Sequence, residues 1–252
     1  MSADLELAER AARAAGEVLL SYFGQAPEGL DSKTSVTDPV SDADREAERV
    51  IRDLLLDERP DDGILAEEGS ESRSDSGRTW IVDPLDGTVN FLYGLRTWAV
   101  SIALEDEDGL AAAVVFDPVD EECFTAVRRG GAQMNGEPIR VNGCDRLGRA
   151  MIATGFSYVA EERATQAQLL LELLPRIRDV RRAGAAALGL AYVAAGRVDA
   201  YYERGVKPWD EAAGRLLVME AGGTLADLEG EPHGVIAAAT PQLFDELVAL
   251  VS

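Results

Sequence analysis

An α/β protein built as two lobes is what these 252 residues predict, and three observations carry that expectation. The first 58 or so residues place apolar side chains at helical spacing. From Gly63 short apolar runs alternate with turn signals, and from about Met151 strand-like and helix-like segments take turns, the pattern of helices covering a sheet. The change falls near residue 148, which divides the chain into an N-terminal α+β lobe, 1–148, and a C-terminal α/β lobe, 149–252. With 46% hydrophobic residues, a chain of this length has ample material for a buried interior.

Taken in order, "LELAERAARAAGEVLLSYFG" reads as a helix that stops at Gly24, a residue free to adopt the left-handed conformation of a helix C-terminus. The polar, Pro- and Gly-containing stretch "APEGLDSKTSVTDPVSDAD" reads as a loop. Ser41 or Asp42 can cap a second helix, in which Val50, Ile51, Leu54 and Leu55 form the expected buried stripe before "ERPDDG" ends it. The runs "GILAEE", "TWIVDP", "WAVSIALED", "GLAAAVVFDP" and "ECFTAVRRG", separated by turns such as "EDEDG" and "DPVDEE", predict an antiparallel meander. In the second lobe "MIATGF", "DVRRAG", "VDAYYER", "TLADLEG" and "VIAAAT" read as strands. The helices between and after them fall over "EERATQAQLLLELL", "AAALGLAYVAAG", "PWDEAAGRLLVMEAGG" and "PQLFDELVALV". The sequence contains no internal repeat and no low-complexity tail.

Composition narrows the chemistry. Acidic residues outnumber basic ones 46 to 24, a formal charge of −22, which repels nucleic acid and anionic membranes as partners. Lys33 and Lys207 are the only lysines, and an acidic, lysine-poor surface predicts a salt-rich cytoplasm of the halophilic archaeal kind. Cys123 and Cys144 are too few for a disulfide framework, and no N-terminal run resembles a signal peptide or a membrane span, so a cytoplasmic location is expected. The single histidine, His233 in "GEPHGVI", reads as a solvated turn residue. Histidine triads and zinc sites are thereby nearly excluded, which leaves carboxylates, hydroxyls and backbone dipoles, with hard cations held by oxygen.

The stretch "WIVDPLDGTVNF" delivers Asp83 and Asp86 at the end of an apolar run, followed by Gly87 and Thr88. Amides that open a turn or helix there point at an anion, while the carboxylates beside them call for cations, and metal plus phosphate satisfies both demands. Glu67 and Glu68 end a short apolar run; on an extended segment they face opposite sides, so one of the two can join a shared cation site. Asp210 in "KPWDEAAG" can serve as the N-cap of a helix, as a ligand, or as both. Asp44 in "DPVSDADREAE" can simply favour the start of its helix. The aspartyl-nucleophile phosphatases also end a strand in Asp, Asp, Gly, Thr, but with the aspartates two apart and on one side. Here they are three apart, and lysines are almost absent.

Together "KTSVTDPVSDAD", "ILAEE", "DPLDGTVNF", "GAQMNGEPIRVN" and "RRAGAAALGLAYVAAGRVDAYYERGVKPWDEAAG" resemble the inositol monophosphatase family of magnesium-dependent, lithium-sensitive phosphatases over most of the chain. The resemblance implies a layered αβαβα sandwich of the sugar-phosphatase type, commonly a homodimer. It implies Mg²⁺ as cofactor, in two or three ions, with Mn²⁺ as an alternative ion and Li⁺ as inhibitor. Glu67, Asp83 and the Leu85 carbonyl would hold one ion, Asp83, Asp86 and Asp210 a second, and Glu67 a weaker third through water. Thr88 paired with Asp44 would orient and deprotonate the attacking water. The amides of Gly87 and Thr88 would receive phosphate oxygens, Glu203 would bind substrate hydroxyls, and Gly184, Ala185 and Ala186 would line the alcohol pocket. Lys33 falls in the segment that corresponds to a metal-sensitive loop.

Two positions depart from the pattern, Ala185 and Gly189, where relatives often carry hydrogen-bonding side chains. A pocket without those groups reads hydroxyl patterns less strictly. Inositol 1-phosphate, fructose 1,6-bisphosphate, histidinol phosphate and nucleotide 3′-phosphates therefore compete as substrates, with Arg181, Arg182 and Arg204 as candidates for a distal phosphate. A regulatory protein that keeps the scaffold and works through a partner surface is the alternative from another class.

Overall fold

Helical periodicity at the N-terminus is realised as α1 (Ala3–Tyr22), which buries Leu5, Ala8, Ala12, Ala15 and Leu19 along one face. The chain leaves it through Gly24 at φ +79°, the left-handed exit expected from the sequence. The structure is a computed structural model that describes residues 3–25, 31, 32, 39, 40, 42–69 and 71–252. Lys33 and Ser41 lie outside the described residues. A two-stranded ribbon, β1 (Asp31–Ser32) against β2 (Pro39–Val40), precedes α2 (Asp42–Glu58). The buried face of α2 is Ala43, Asp44, Ala47, Glu48, Ile51 and Leu55. It is rotated from the expected stripe, since Val50 and Leu54 are only partly buried. Two acids on a buried helix face mean that α2 packs against something polar.

The large sheet comprises β3 (Gly63–Ala66), β4 (Glu71–Ser72), β5 (Thr79–Asp86), β6 (Ala99–Asp106), β7 (Gly109–Asp117), β8 (Glu122–Val127), β9 (Gly131–Met134) and β10 (Glu137–Ile139). The short helix α3 (Thr88–Leu92) lies between β5 and β6. Its eight strands run in the order β10-β9-β8-β7-β6-β5-β3-β4. The meander expected from Gly63 onward holds from β5 to β10, but β3 pairs with β5 in parallel, Leu65 opposite Ile81. Because β4 occupies the outer edge of β3 in antiparallel fashion, the chain has to cross back to add β5 on the inner edge, and that return makes the pair parallel.

Strand alternation then sorts the side chains into two cores. Trp80, Val82, Val100, Ile102, Leu104, Val114 and Phe116 face α1 and α2. Ile81, Ala99, Ala103, Ala113, Val115 and Phe124 face the other way.

The second lobe runs β11 (Met151–Thr154), α4 (Ala160–Leu173), β12 (Asp179–Arg181), α5 (Ala186–Ala194), β13 (Ala200–Arg204), α6 (Pro208–Glu220), β14 (Thr224–Leu228), β15 (Gly234–Ala238) and α7 (Pro241–Val251). Its five-stranded sheet has the order β12-β11-β13-β15-β14. Leu188, Leu190, Leu216 and Leu217 of α5 and α6 share a core with both sheets, whereas Leu243 and Leu247 of α7 cover the outer face of the small sheet. The layers are thus α1 and α2, the large sheet, α5 and α6, the small sheet, then α4 and α7, the αβαβα sandwich expected. The small alanines on the inner face of the large sheet let α6 approach closely, and Gly214 does the same between α6 and α5: a methyl there would lie 2.5 Å from Leu190 Cβ. This tight middle layer brings the ends of β5, α5 and α6 together. No helix among the described residues is long and apolar enough to cross a membrane.

Candidate active site

The end of β5 carries the first two acids, and its irregularity decides where they point. In a regular strand, residues three apart face opposite sides. Here Asp83 lies opposite Ser101 and Asp86 opposite Ala99, so three residues of β5 are matched by two of β6. This β-bulge at Pro84–Leu85 puts both aspartates on the face that looks toward α5 and α6, while Leu85 packs into the α1–α2 core. Proline suits a position from which the ladder asks no N–H. Asp83 Oδ1 accepts the Leu85 N–H at 2.9 Å, which fixes the carboxylate against the bulge.

The neighbouring groups arrive from four other segments. Glu67 follows β3, anchored by its own N–H to Val82 O at 3.2 Å, and its carboxyl hydrogen-bonds Asp83. The Glu68 N–H donates to Glu48 on α2 at 2.7 Å, so of the adjacent pair it is Glu67 that joins the aspartates. Asp210 is the third residue of α6, not its N-cap. Lys207 holds the cap position because Pro208, with fixed φ and no N–H, fits the first helical turn, and Asp210 Oδ2 accepts the Lys207 N–H at 2.6 Å. Asp86 accepts the N–H groups of Ala186 at 3.0 Å and Ala187 at 2.8 Å, the first two amides of α5. Asp44, in the first turn of α2 and 0% exposed, lies with Oδ1 3.3 Å from Thr88 Oγ1, which is also 3.1 Å from Leu85 O.

Gly87 turns the chain between the aspartates and α3 with φ 94° and ψ 34°. A methyl on it would stand 3.1 Å from Thr97 O and 3.3 Å from both Ala185 Cβ and Gly184 O, so glycine is required by conformation and by space. The same contacts place Gly184 and Ala185 beside the turn. Asn90 ties the two sides, donating to Thr97 O at 2.7 Å and Ala183 O at 2.8 Å.

Among the described residues, the three aspartates of the cluster form no ion pair with a positive side chain. Burial first, then the charges of Glu67, Asp86 and Asp210, push the Asp83 carboxyl well above the usual range. Burial followed chiefly by Glu67 does the same to Asp210. Asp86 is raised to about 7: burial outweighs the two α5 amides that pull it down, and Glu203 and Glu67 add to the rise. Repelling acids held in a dry place demand either protons or cations.

Among the described residues, no three Asp, Glu, Cys or His side chains already form a closed metal cage. The carboxylates instead satisfy themselves with backbone amides and with one another, the arrangement expected when protons stand in for positive charge. The donor set is hard oxygen throughout, as Mg²⁺ requires; Asp83 and Asp210 each give one oxygen to a backbone amide, and the Asp86 oxygens, which accept one α5 amide each, keep a second lone pair. The residues therefore fit a hard divalent ion, whose charge would replace those protons.

Glu203, on β13, is half-buried and also raised by burial, with the Tyr201 hydroxyl and the nearby Arg182 opposing that rise. Tyr201, which the sequence reading missed, donates to Glu203 Oε2. Its signal was the spacing, since residues two apart on a strand share a face. Of the three arginines, Arg181 is paired with Asp179 on the surface at 2.5 Å. Arg204 is taken up by the carbonyls of Glu229, Pro232 and Val251. Arg182 is exposed at the rim, its guanidinium against Gly184. His233 is exposed as expected and lies 3.0 Å from Glu211. A cleft of about 670 Å³ between α1 and the large sheet, lined by Glu9, Arg13, Phe116, Cys123 and Gln133, holds none of the converging acids.

Comparison with known proteins matches the chain along its whole length. The family described as "Inositol monophosphatase family" matches residues 1–252. The chain is 44% identical over 233 residues to the inositol-1-monophosphatase of Rhizobium meliloti, covering 91% of this chain and 87% of that one. It is 41% identical over 252 residues to the Nus factor SuhB of Escherichia coli, covering 97% and 94%. Among solved structures, the suhB protein of Bartonella henselae superposes with a TM-score of 0.93 at 39% identity, covering 100% of this chain and 99% of that one. The Thermotoga maritima IMPase does so with 0.90 at 35%, covering 99% and 97%.

Proposed function

The chain belongs to the inositol monophosphatase family, and from that premise we propose that it is a Mg²⁺-dependent phosphatase acting on a small polyol or sugar phosphate monoester. The observation that carries this reading is the convergence of Glu67 with Asp83, Asp86 and Asp210, three buried aspartates whose proton affinity is raised and which form no ion pair with an arginine or lysine among the described residues. Glu67, Asp83 and the Leu85 carbonyl would hold one ion, Asp83, Asp86 and Asp210 a second, and Glu67 a third. Bound there, Mg²⁺ supplies the charge that neutralises the acids, polarises a phosphoryl group and acidifies water.

The chain's own residues orient the reaction. Thr88 Oγ1 accepts a hydrogen bond from the attacking water, and Asp44 Oδ1, 3.3 Å away and sealed from solvent, takes up the proton that passes through the hydroxyl. Such a positioned base contributes roughly 10²–10⁴-fold. The amides of Gly87 and Thr88, at the opening of α3, receive phosphoryl oxygens, in a turn whose left-handed conformation requires glycine at 87. Gly184, Ala185, Ala186 and Glu203 form the alcohol pocket, with Glu203 its main acceptor. The lobes 1–148 and 149–252 thus contribute to one centre, the second supplying Asp210 and the pocket. Membership of the family supports a homodimer, and the acidic composition a salt-rich cytoplasm.

Relatives named Nus factor SuhB favour a second reading, a regulatory protein working through a partner surface. Retention of the whole acid set weighs toward catalysis. The test is phosphate release from inositol 1-phosphate, fructose 1,6-bisphosphate, histidinol phosphate and a nucleotide 3′-phosphate in molar KCl, with and without Mg²⁺. Release that needs Mg²⁺ supports the proposal. Equal release in chelator, or none from any substrate, overturns it.

A further inference from the structure

Tyr201 and Glu203 stand two apart on β13 and share the face turned toward α5 and the inner core. The Tyr201 hydroxyl donates to Glu203 Oε2. The ring is 2% exposed, and it reaches that position because residue 189 on α5 is glycine: a methyl there would lie 2.5 Å from Tyr201 Cε2 and 2.8 Å from Cδ2. Gly155, at the end of β11, does the same for the carboxylate, since a methyl on it would occupy the space of the Glu203 carboxyl group. Glycines on two different elements therefore leave one slot for the phenol and one for the acid.

We propose that Tyr201 is a positioning residue that sets the selectivity of the alcohol pocket, by holding Glu203 as a fixed hydrogen-bond acceptor for a hydroxyl next to the phosphate ester. This rests on the phosphatase reading above. With Oε2 occupied by the phenol, Oε1 is the oxygen left for substrate, and it can only accept. Burial keeps the Tyr201 hydroxyl protonated far above the ordinary tyrosine range, so the bond always runs from phenol to carboxylate. An acceptor so fixed favours a polyol monophosphate, whose hydroxyl donates, over an ester that offers no donor there. Arg182, at the exposed rim, is a positive side chain whose charge opposes the rise that burial imposes on the Glu203 carboxyl. With no hydrogen-bonding side chain at Ala185 or Gly189, the pocket relies on Glu203, an acceptor whose direction is set from behind.

The experiment compares inositol 1-phosphate with p-nitrophenyl phosphate, which has no hydroxyl, for the wild type, Tyr201→Phe and Gly189→Ala in Mg²⁺. Tyr201→Phe keeps the ring and its packing. The expected result is a rise of roughly 5–50-fold in KM for inositol 1-phosphate with kcat changed less, while kcat/KM for p-nitrophenyl phosphate stays within about 2-fold. Gly189→Ala, which displaces the ring, is expected to erode the same preference. Equal losses on both esters would make Tyr201 merely structural, and an unchanged ratio in Tyr201→Phe would remove its role. Either result overturns the inference while wild-type activity stands, whereas a wild type inactive on both esters refutes the phosphatase reading itself.

Discussion

Asp210 accepts an amide at the start of α6 while sitting among acids that repel it, and those two facts separate its roles. Asp210→Asn keeps an oxygen for the Lys207 N–H and removes the charge. Turnover is expected to fall by about 10²-fold or more, with the metal-free melting temperature unchanged or higher because repulsion is relieved. A phosphate-release assay beside a thermal melt checks both. Thr88→Ala removes the hydroxyl between water and Asp44, so kcat is expected to drop about 10²-fold or more while KM moves little. At this scale the sequence was legible where acids end apolar runs: Asp83, Asp86 and Glu67 announced themselves. Tyr201 did not, because an aromatic residue in a strand reads as core, and only coordinates show its hydroxyl on Glu203.

The elements aim those residues, and this was less visible in the sequence. The Asp83–Asp86 spacing, three in the chain, becomes a single-face pair only through the β5 bulge, which depends on how β6 is registered. The parallel pairing of β3 with β5 was hidden for the same reason, since strand direction depends on which edge is free when the chain returns. The strands and helices of the second lobe were legible throughout, because their periods change cleanly from two to 3.6. The contact of α5 with α6 carries the alignment of Asp86 with Asp210. Gly214→Ala, which sets a methyl 2.5 Å from Leu190 Cβ, is expected to cost about 1–3 kcal/mol and to lower turnover as the helices part. A melt that falls with turnover intact would show that the site tolerates that displacement.

For the whole molecule, the balance of charge links fold, ion and pH. The Asp86 carboxyl, raised to about 7, stays protonated in the folded protein where the unfolded chain has already released its proton. The contribution of this group to the stability of the chelated protein is therefore fully present below about pH 4 and lost as pH rises through about 7. Melting curves between pH 5 and 8 in chelator are expected to fall with pH, and excess Mg²⁺ is expected to flatten that slope. The net charge of −22 adds a general self-repulsion, so melting temperature is also expected to rise as KCl is increased toward molar. The most direct measurement is a calorimetric Mg²⁺ titration of the intact protein at pH 6.5, in two buffers of different ionisation enthalpy. Saturable binding that releases about one proton or more is expected, as cations displace the protons held by the acid cluster. No binding, or binding with identical heats in both buffers, would contradict the account.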